Sequence, residues 1–173
     1  MDFNNNLRGP AKALPNRSLE IAKGRENGLF TLKTSLILPK PLEIVFPFFA
    51  DAGNLGKITP PWLRFEILTR LPIEMGIGTF IEYRLCLHGI VLRWQTEITA
   101  WDPPFRFVDE QRHGPYRKWI HEHTFSRCGD DSEIHDFVKY DPPGGRLLNF
   151  LFVRRDVRRI FTYRTKKLLD LFE

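Results

Sequence analysis

Arg117–Ser126 reads RKWIHEHTFS and Ser132–Asp141 reads SEIHDFVKYD, with Gly129-Asp130-Asp131 between them and Pro142-Pro143-Gly144-Gly145 after them. Side chains along a strand alternate between two faces. One parity of the first segment holds Trp119, His121, His123 and Phe125, and one parity of the second holds Ile134, Asp136, Val138 and Tyr140. Both sets read as inward. The Gly-Asp-Asp break is turn chemistry, and a connection so short joins antiparallel neighbours. Beyond the Pro-Pro-Gly-Gly break the period changes. Phe150, Val153, Val157, Ile160, Phe161, Leu168, Leu171 and Phe172 recur at spacings of three and four, which predicts a long helix with one apolar stripe.

Working outward, the same alternation predicts strands at Leu29–Leu38, Leu63–Arg70, Gly78–Leu87, Gly89–Trp101 and Phe105–Arg112. His88-Gly89, Asp102-Pro103-Pro104 and His113-Gly114-Pro115 mark the turns. Between the first two strands, Leu42–Phe49 predicts a short apolar helix, kinked or cut short by Pro47, and Asp51–Lys57 a second short helix. The order is strand, two short helices, six strands, long helix. A twisted sheet of seven antiparallel strands must cover its apolar face, and the C-terminal helix is the element long enough to do it. The expected class is α+β, a curved sheet gripping a helix with room for a cavity between them. Residues 1–28 are polar and broken by Gly and Pro. They read as a flexible arm, with one helical turn near Ser18–Lys23, ahead of a domain at 29–173.

Charge narrows the function classes. The formal net charge is +5. It resides in the segment after Gly145, where Arg146, Arg154, Arg155, Arg158, Arg159, Arg164, Lys166 and Lys167 face only Asp156, Asp170 and Glu173. The preceding residues balance, so a diffuse basic coat or groove for nucleic acid is not expected. Arg155, Arg158, Arg159 and Lys166 fall on one outward helix face, for which a weak contact with an acidic membrane surface is the alternative to plain solvation. No run reaches the length of a membrane span, and the N-terminus lacks the apolar core of a signal peptide. Cys86 and Cys128 match no zinc-finger spacing and read as free thiols of a cytoplasmic protein. No phosphate-binding loop, dinucleotide fingerprint or nucleophile elbow occurs, and no cofactor is expected.

The wording of several segments goes further. Asn54-Leu55, Ile58-Thr59-Pro60-Pro61-Trp62-Leu63-Arg64-Phe65, Trp101-Asp102-Pro103-Pro104, Phe107-Val108-Asp109-Glu110-Gln111, Gly114-Pro115-Tyr116, Trp119–Phe125 and Ile160–Arg164 together resemble the bacterial ligand-binding subfamily of the SRPBCC superfamily. This is the START and plant-allergen-like group, its bacterial members often labelled polyketide cyclase/dehydrase-like. The resemblance covers about residues 29–173 and implies the helix-grip fold. It implies less about chemistry, because the superfamily includes lipid carriers, hormone receptors, cyclases and oxygenase domains.

The inward parities nominate site residues. Tyr83, Trp94, Asp109, Gln111, Trp119, His121, His123, Asp136, Tyr140, Phe161 and Arg164 are expected at a ligand cavity, with Trp62 and Phe49 at its mouth or wall. So many polar groups on one inner face do not suit a solid core, because each unsatisfied buried one costs about 1–3 kcal/mol. His121 and His123 lie on one face and could form an acid–base pair with Asp109 or Asp136. A metal site on the same residues is the sharper alternative, but satisfied polar lining is the expectation, with no metal. Arg164 falls within the apolar stripe, about 20° from Val153 at 100° per residue. A guanidinium there needs a partner: Asp109, Asp136, or an acid group on a ligand. The expected function is binding of a small, mostly hydrophobic or amphipathic ligand. The alternative is a cofactor-independent cyclase, dehydratase or hydrolase using a His–carboxylate pair.

Overall fold

In the computed structural model, which describes residues 18–23 and 28–173, the buried positions of β2 (Phe30–Leu38) alternate strictly, Phe30, Leu32, Thr34, Leu36 and Leu38 turning inward. Ahead of it Ser18–Lys23 forms β1, paired antiparallel with β2. The helical turn expected at Ser18–Lys23 is therefore a strand, because its backbone finds a ladder on the open edge of β2 that the residue pattern does not announce. The remaining part of the expected 1–28 arm lies outside the described residues, Gly28 excepted.

Helix α1 (Leu42–Ala50) follows. Leu42, Val45, Phe46 and Phe49 form its buried stripe, and Pro47 sits on the exposed side. The carbonyl that proline leaves without a donor belongs to exposed Glu43, where water can serve it. The helix therefore runs on past Pro47 to Ala50. The second expected helix divides into a tight turn at Ala52–Asn54 and one helical turn, α2 (Leu55–Ile58). Asp51 caps the first turn by accepting a hydrogen bond from the Gly53 N–H at 2.8 Å.

The other strands are β3 (Glu66–Ile67), β4 (Phe80–Leu87), β5 (Ile90–Asp102), β6 (Arg106–His113), β7 (Lys118–Cys128) and β8 (Asp131–Asp141). The strand expected over Leu63–Arg70 shrinks to β3, because Pro61–Leu63 coils tightly and Arg64 adopts a left-handed φ of 45°. All pairs are antiparallel in one sheet ordered β1-β2-β8-β7-β6-β5-β4-β3. The seven expected strands are present, with β1 as an eighth. Between β5 and β6 the register shifts at Ile98/Ala100, and Phe105, just ahead of β6, stands half exposed at the turn.

After the sheet, α3 (Gly145–Leu148) and a wider π-helical turn at Asn149–Val153 lead into α4 (Arg154–Phe172). Helix α4 buries Val157, Phe161, Leu168, Leu169 and Phe172. Its C-terminal half packs with α1 against Phe107, Phe125 and Ile134, and its N-terminal half packs on Leu32, Val138 and Tyr140. The β4–β5 hairpin is tied to it by His88 Nε2 and Asp156 Oδ2, 2.8 Å apart. Phe150, counted in the apolar stripe by its spacing, is 75% exposed, together with Leu147, Leu151 and Phe152. The π turn shifts the helical phase there, so the stripe begins at Val153 rather than Phe150.

Gly144 carries a left-handed φ of 73°, and a Cβ there would meet Leu148 Cδ1 at 2.3 Å. Leu148 can swing outward. Gly144→Ala is thus expected to cost about 1 kcal/mol, mainly from the backbone. Urea unfolding of the two proteins measures it.

Candidate functional site

Between the concave face of the sheet, α1–α2 and α4 lies a cavity of about 290 Å³. Its apolar wall comes from Phe49, Leu55, Ile58, Phe65, Ile81, Leu85, Leu92, Trp94, Trp119, Val157 and Phe161. Thr96, Asp109, His121, His123, Tyr83 and Arg164 supply polar groups.

Those polar groups come from one band across the sheet. Register places Thr34 beside Asp136, Asp136 beside His123, and His121 beside Asp109. His121 Nε2 is 3.0 Å from Asp136 Oδ1, and His123 Nε2 is 3.2 Å from Asp109 Oδ2. His123 Nδ1 lies 2.8 Å from Asp136 Oδ1, but out of line for a hydrogen bond, and His121 Nδ1 lies 3.6 Å from Asp109 Oδ2. Thr34 Oγ1 donates to Asp136 Oδ2 at 2.8 Å, and Thr96 Oγ1 donates to Asp109 Oδ1 at 3.3 Å. The two imidazoles lie between Phe107, which stacks on His123, and Phe161, which meets His121 edge-on, and their own rings are tilted by 39° with centroids 3.8 Å apart.

Burial opposes every charge in this band, and the partners decide the outcome. For Asp136, burial raises the pKa, but the His121 hydrogen bond, the close His123 ring and the field of Arg164 hold it well below the usual carboxylate range. Burial likewise works against ionised Asp109, yet the His123 hydrogen bond and the nearby positive groups bring it down. His121 is lowered, by burial first and then by His123. Burial also pushes His123 down, but contacts with Asp109 and Asp136 outweigh it and raise the ring. Both carboxylates are thus held ionised, while the two imidazoles are moved in opposite directions, His121 down and His123 up. Tyr83 is pushed well up by burial and by Asp109, and Tyr140 is pushed up to about 12 by burial, so both stay protonated.

Arg164 enters the cavity from α4, as its place in the stripe requires. Neither expected carboxylate partner lies within ion-pair distance of it among the described residues. Its guanidinium carbon is 5.9 Å from the Phe49 ring centre, and its Nε is buried with no hydrogen-bond partner. Trp94 Nε1, on the same wall, is also buried without one. Arg155, Arg158, Arg159 and Lys166 face solvent as expected, and Arg159 lies over Trp62 at 4.2 Å.

Of the nominated residues, Tyr83, Trp94, Asp109, Trp119, His121, His123, Phe161 and Arg164 line the cavity. Gln111, Asp136 and Tyr140 do not. Gln111 Nε2 instead donates to the Tyr116 carbonyl at 2.6 Å and clasps the β6–β7 turn. Asp136 stands behind the histidines, and Tyr140 is fully buried beneath Phe30 and Trp119. Phe49 is on the wall, whereas Trp62 packs outside against Tyr163. Thr96 and Tyr116 are wall residues not nominated from sequence, although Thr96 shares the inward parity of Trp94.

Residues 38–162 match the family described as polyketide cyclase / dehydrase and lipid transport. The chain belongs to this family. No curated protein matches it in sequence. Solved structures agree in fold. Protein Ms6760 from Mycobacterium smegmatis aligns over 90% of this chain and 97% of its own, with 14% identity and a TM-score of 0.65. The ZhuI aromatase/cyclase from Streptomyces sp. R1128 covers 82% and 92%, at 16% identity and 0.63. Ginseng major latex-like protein 151 from Panax ginseng covers 82% and 96%, at 12% identity and 0.59. Such identities show the shared helix-grip fold and not the ligand. The family match indicates a hydrophobic ligand-binding or polyketide cyclase-type fold. No helix among the described residues is long and apolar enough to cross a membrane.

Proposed function

We propose that the protein binds a small, mostly apolar molecule with one anionic end, held between the sheet and α4 with that end at Arg164. The observation that carries this reading is the buried, unpartnered Arg164 Nε on the cavity wall. A guanidinium taken out of water needs an acceptor, and a carboxylate or phosphate can take two of its N–H groups side by side. The apolar wall around it suits a hydrocarbon or aromatic body. Cys86 and Cys128 are free, in keeping with a cytoplasmic setting for this role.

Native mass spectrometry of protein purified from its own host tests the reading. A co-purifying organic acid is expected, and repeated preparations that carry only neutral species or none count against it. In a companion experiment, Leu92→Trp places an indole in the cavity from its half-buried wall position. The affinity of a fluorescent fatty-acid probe is expected to fall at least about tenfold, or 1.4 kcal/mol. An unchanged affinity would mean that the probe binds elsewhere.

A second reading, a cyclase- or dehydratase-type enzyme, has one observation in its favour. His121 contacts Asp136 and also lines the cavity. A neutral imidazole held this way could take a proton from a bound substrate. Turnover of a co-purified molecule that stops in His121→Phe would support it.

A further inference from the structure

We propose that Asp109, His121 and His123 form a binding site for one divalent transition-metal ion, with Asp136 as the group that orients both histidines. The pattern of ring nitrogens carries this. Both nitrogens of each ring face carboxylate oxygens: His121 Nε2 and His123 Nδ1 turn to Asp136, and His121 Nδ1 and His123 Nε2 turn to Asp109. A neutral imidazole has one N–H, so its other nitrogen points a lone pair at an anion. Protonating both rings would remove that conflict only by burying two cations with ring centroids 3.8 Å apart. A metal ion on the Asp109 side removes it directly.

The distances suit such an ion. Zinc bonds of about 2.0–2.2 Å in a tetrahedron separate neighbouring donor atoms by about 3.4 Å. Asp109 Oδ2 is 3.6 Å from His121 Nδ1 and 3.2 Å from His123 Nε2. One donor atom from each of the three residues lies within 4.8 Å of the other two. The surroundings are those that metal-bound histidines require, since such rings hand their other N–H to a carboxylate. Asp136 Oδ1 stands 3.0 Å from His121 Nε2 in hydrogen-bonding geometry, and 2.8 Å from His123 Nδ1, where the ring must turn to bring its N–H into line. Thr34 holds the second oxygen of Asp136, and Thr96 that of Asp109, leaving Asp109 Oδ2 toward the site.

The ligand set also bears on which metal binds and what it faces. Two imidazoles and a carboxylate favour zinc, iron(II), cobalt or nickel over calcium or magnesium. The two carboxylates balance a 2+ charge. Asp109, His121 and His123 line the cavity and Asp136 does not, so the open coordination position faces the cavity. From sequence alone these residues read as satisfied polar lining. The facing of the ring nitrogens, visible only in the folded chain, favours the metal.

The test uses full-length, tag-free protein stripped with chelator and dialysed, with no organic ligand present. Titration with zinc sulfate is expected to show one ion per chain with submicromolar affinity and a rise in Tm. Cobalt(II) is expected to give the visible absorption bands of a tetrahedral site. His121→Gln and Asp109→Asn should weaken zinc at least about 100-fold, Asp136→Asn about 10–100-fold, and His135→Gln not at all. Circular dichroism of metal-free variants checks folding. The wild-type cobalt spectrum and Tm shift need no variant, so absence of both overturns the proposal even if a variant fails to fold. Zinc affinity unchanged in folded His121→Gln and Asp109→Asn also overturns it. The site shares its cavity with the proposed ligand but is tested without it, so failure here leaves that reading standing.

Discussion

Arg164→Met is expected to weaken binding of a long-chain fatty acid by about 10–100-fold while leaving the matching neutral alcohol within about twofold. A charged hydrogen bond contributes about 1.5–3 kcal/mol, and each 1.4 kcal/mol is tenfold in affinity. Methionine keeps most of the apolar stem along the wall, so the hydrocarbon part of the ligand loses little contact. The free protein should change stability by less than about 1 kcal/mol, because relief of a buried, unpartnered N–H offsets the lost attraction to Asp109 and Asp136. Isothermal titration with acid and alcohol, beside urea unfolding, reads all three quantities. Equal losses for acid and alcohol would show a packing role for Arg164 and sink the anchor.

Asp136→Ala is expected to destabilise the metal-free protein by about 3–5 kcal/mol, the usual cost of removing one partner from a buried charge contact. Asp136 is 6% exposed and serves Thr34, His121 and His123 at once. Its loss leaves the Thr34 hydroxyl without its acceptor, His121 without its hydrogen-bond partner, and His123 facing Asp109 alone. In a chain of this size each kcal/mol moves Tm by about 2–4 °C, so a fall of roughly 6–20 °C is expected in a thermal scan. A fall under about 2 °C would mean that water or a side-chain shift readily replaces the carboxylate. Asp136→Asn, which keeps the shape and can still accept a hydrogen bond, should recover part of the loss.

Much of this architecture was legible in the residues because strand and helix periods differ. The parity of Trp94, Thr96 and Ile98, and of His121, His123 and Phe125, predicts which side chains face inward, and they do. Arg164 was found the same way, from its angle within the stripe of Val157, Ile160 and Leu168. Parity names a face but not depth along it. Asp136, Gln111 and Tyr140 share the inward parity, yet Asp136 lies behind the histidines, Gln111 closes a turn and Tyr140 is sealed under aromatic rings. Period also fails where hydrogen bonding changes it. The π turn at Asn149–Val153 rotates Phe150 out of the stripe. Strand β1, with Leu19 and Ile21 alternating with Ser18 and Glu20, is too short for its period to separate a strand from a helical turn, and its pairing with the edge of β2 decides it.

The order of elements, the inward faces and the confinement of positive charge to the last segment follow from local periodicity, turn chemistry and counting, and the family resemblance from the wording of segments such as Trp119–Phe125. Partnership between side chains belongs to the folded chain alone. Local pattern cannot say which nitrogen of His121 meets which carboxylate, or that Arg164 lies beyond ion-pair reach of both aspartates. Those facts depend on strand register and on where α4 sits across the sheet, and both are set by contacts between residues far apart in the chain.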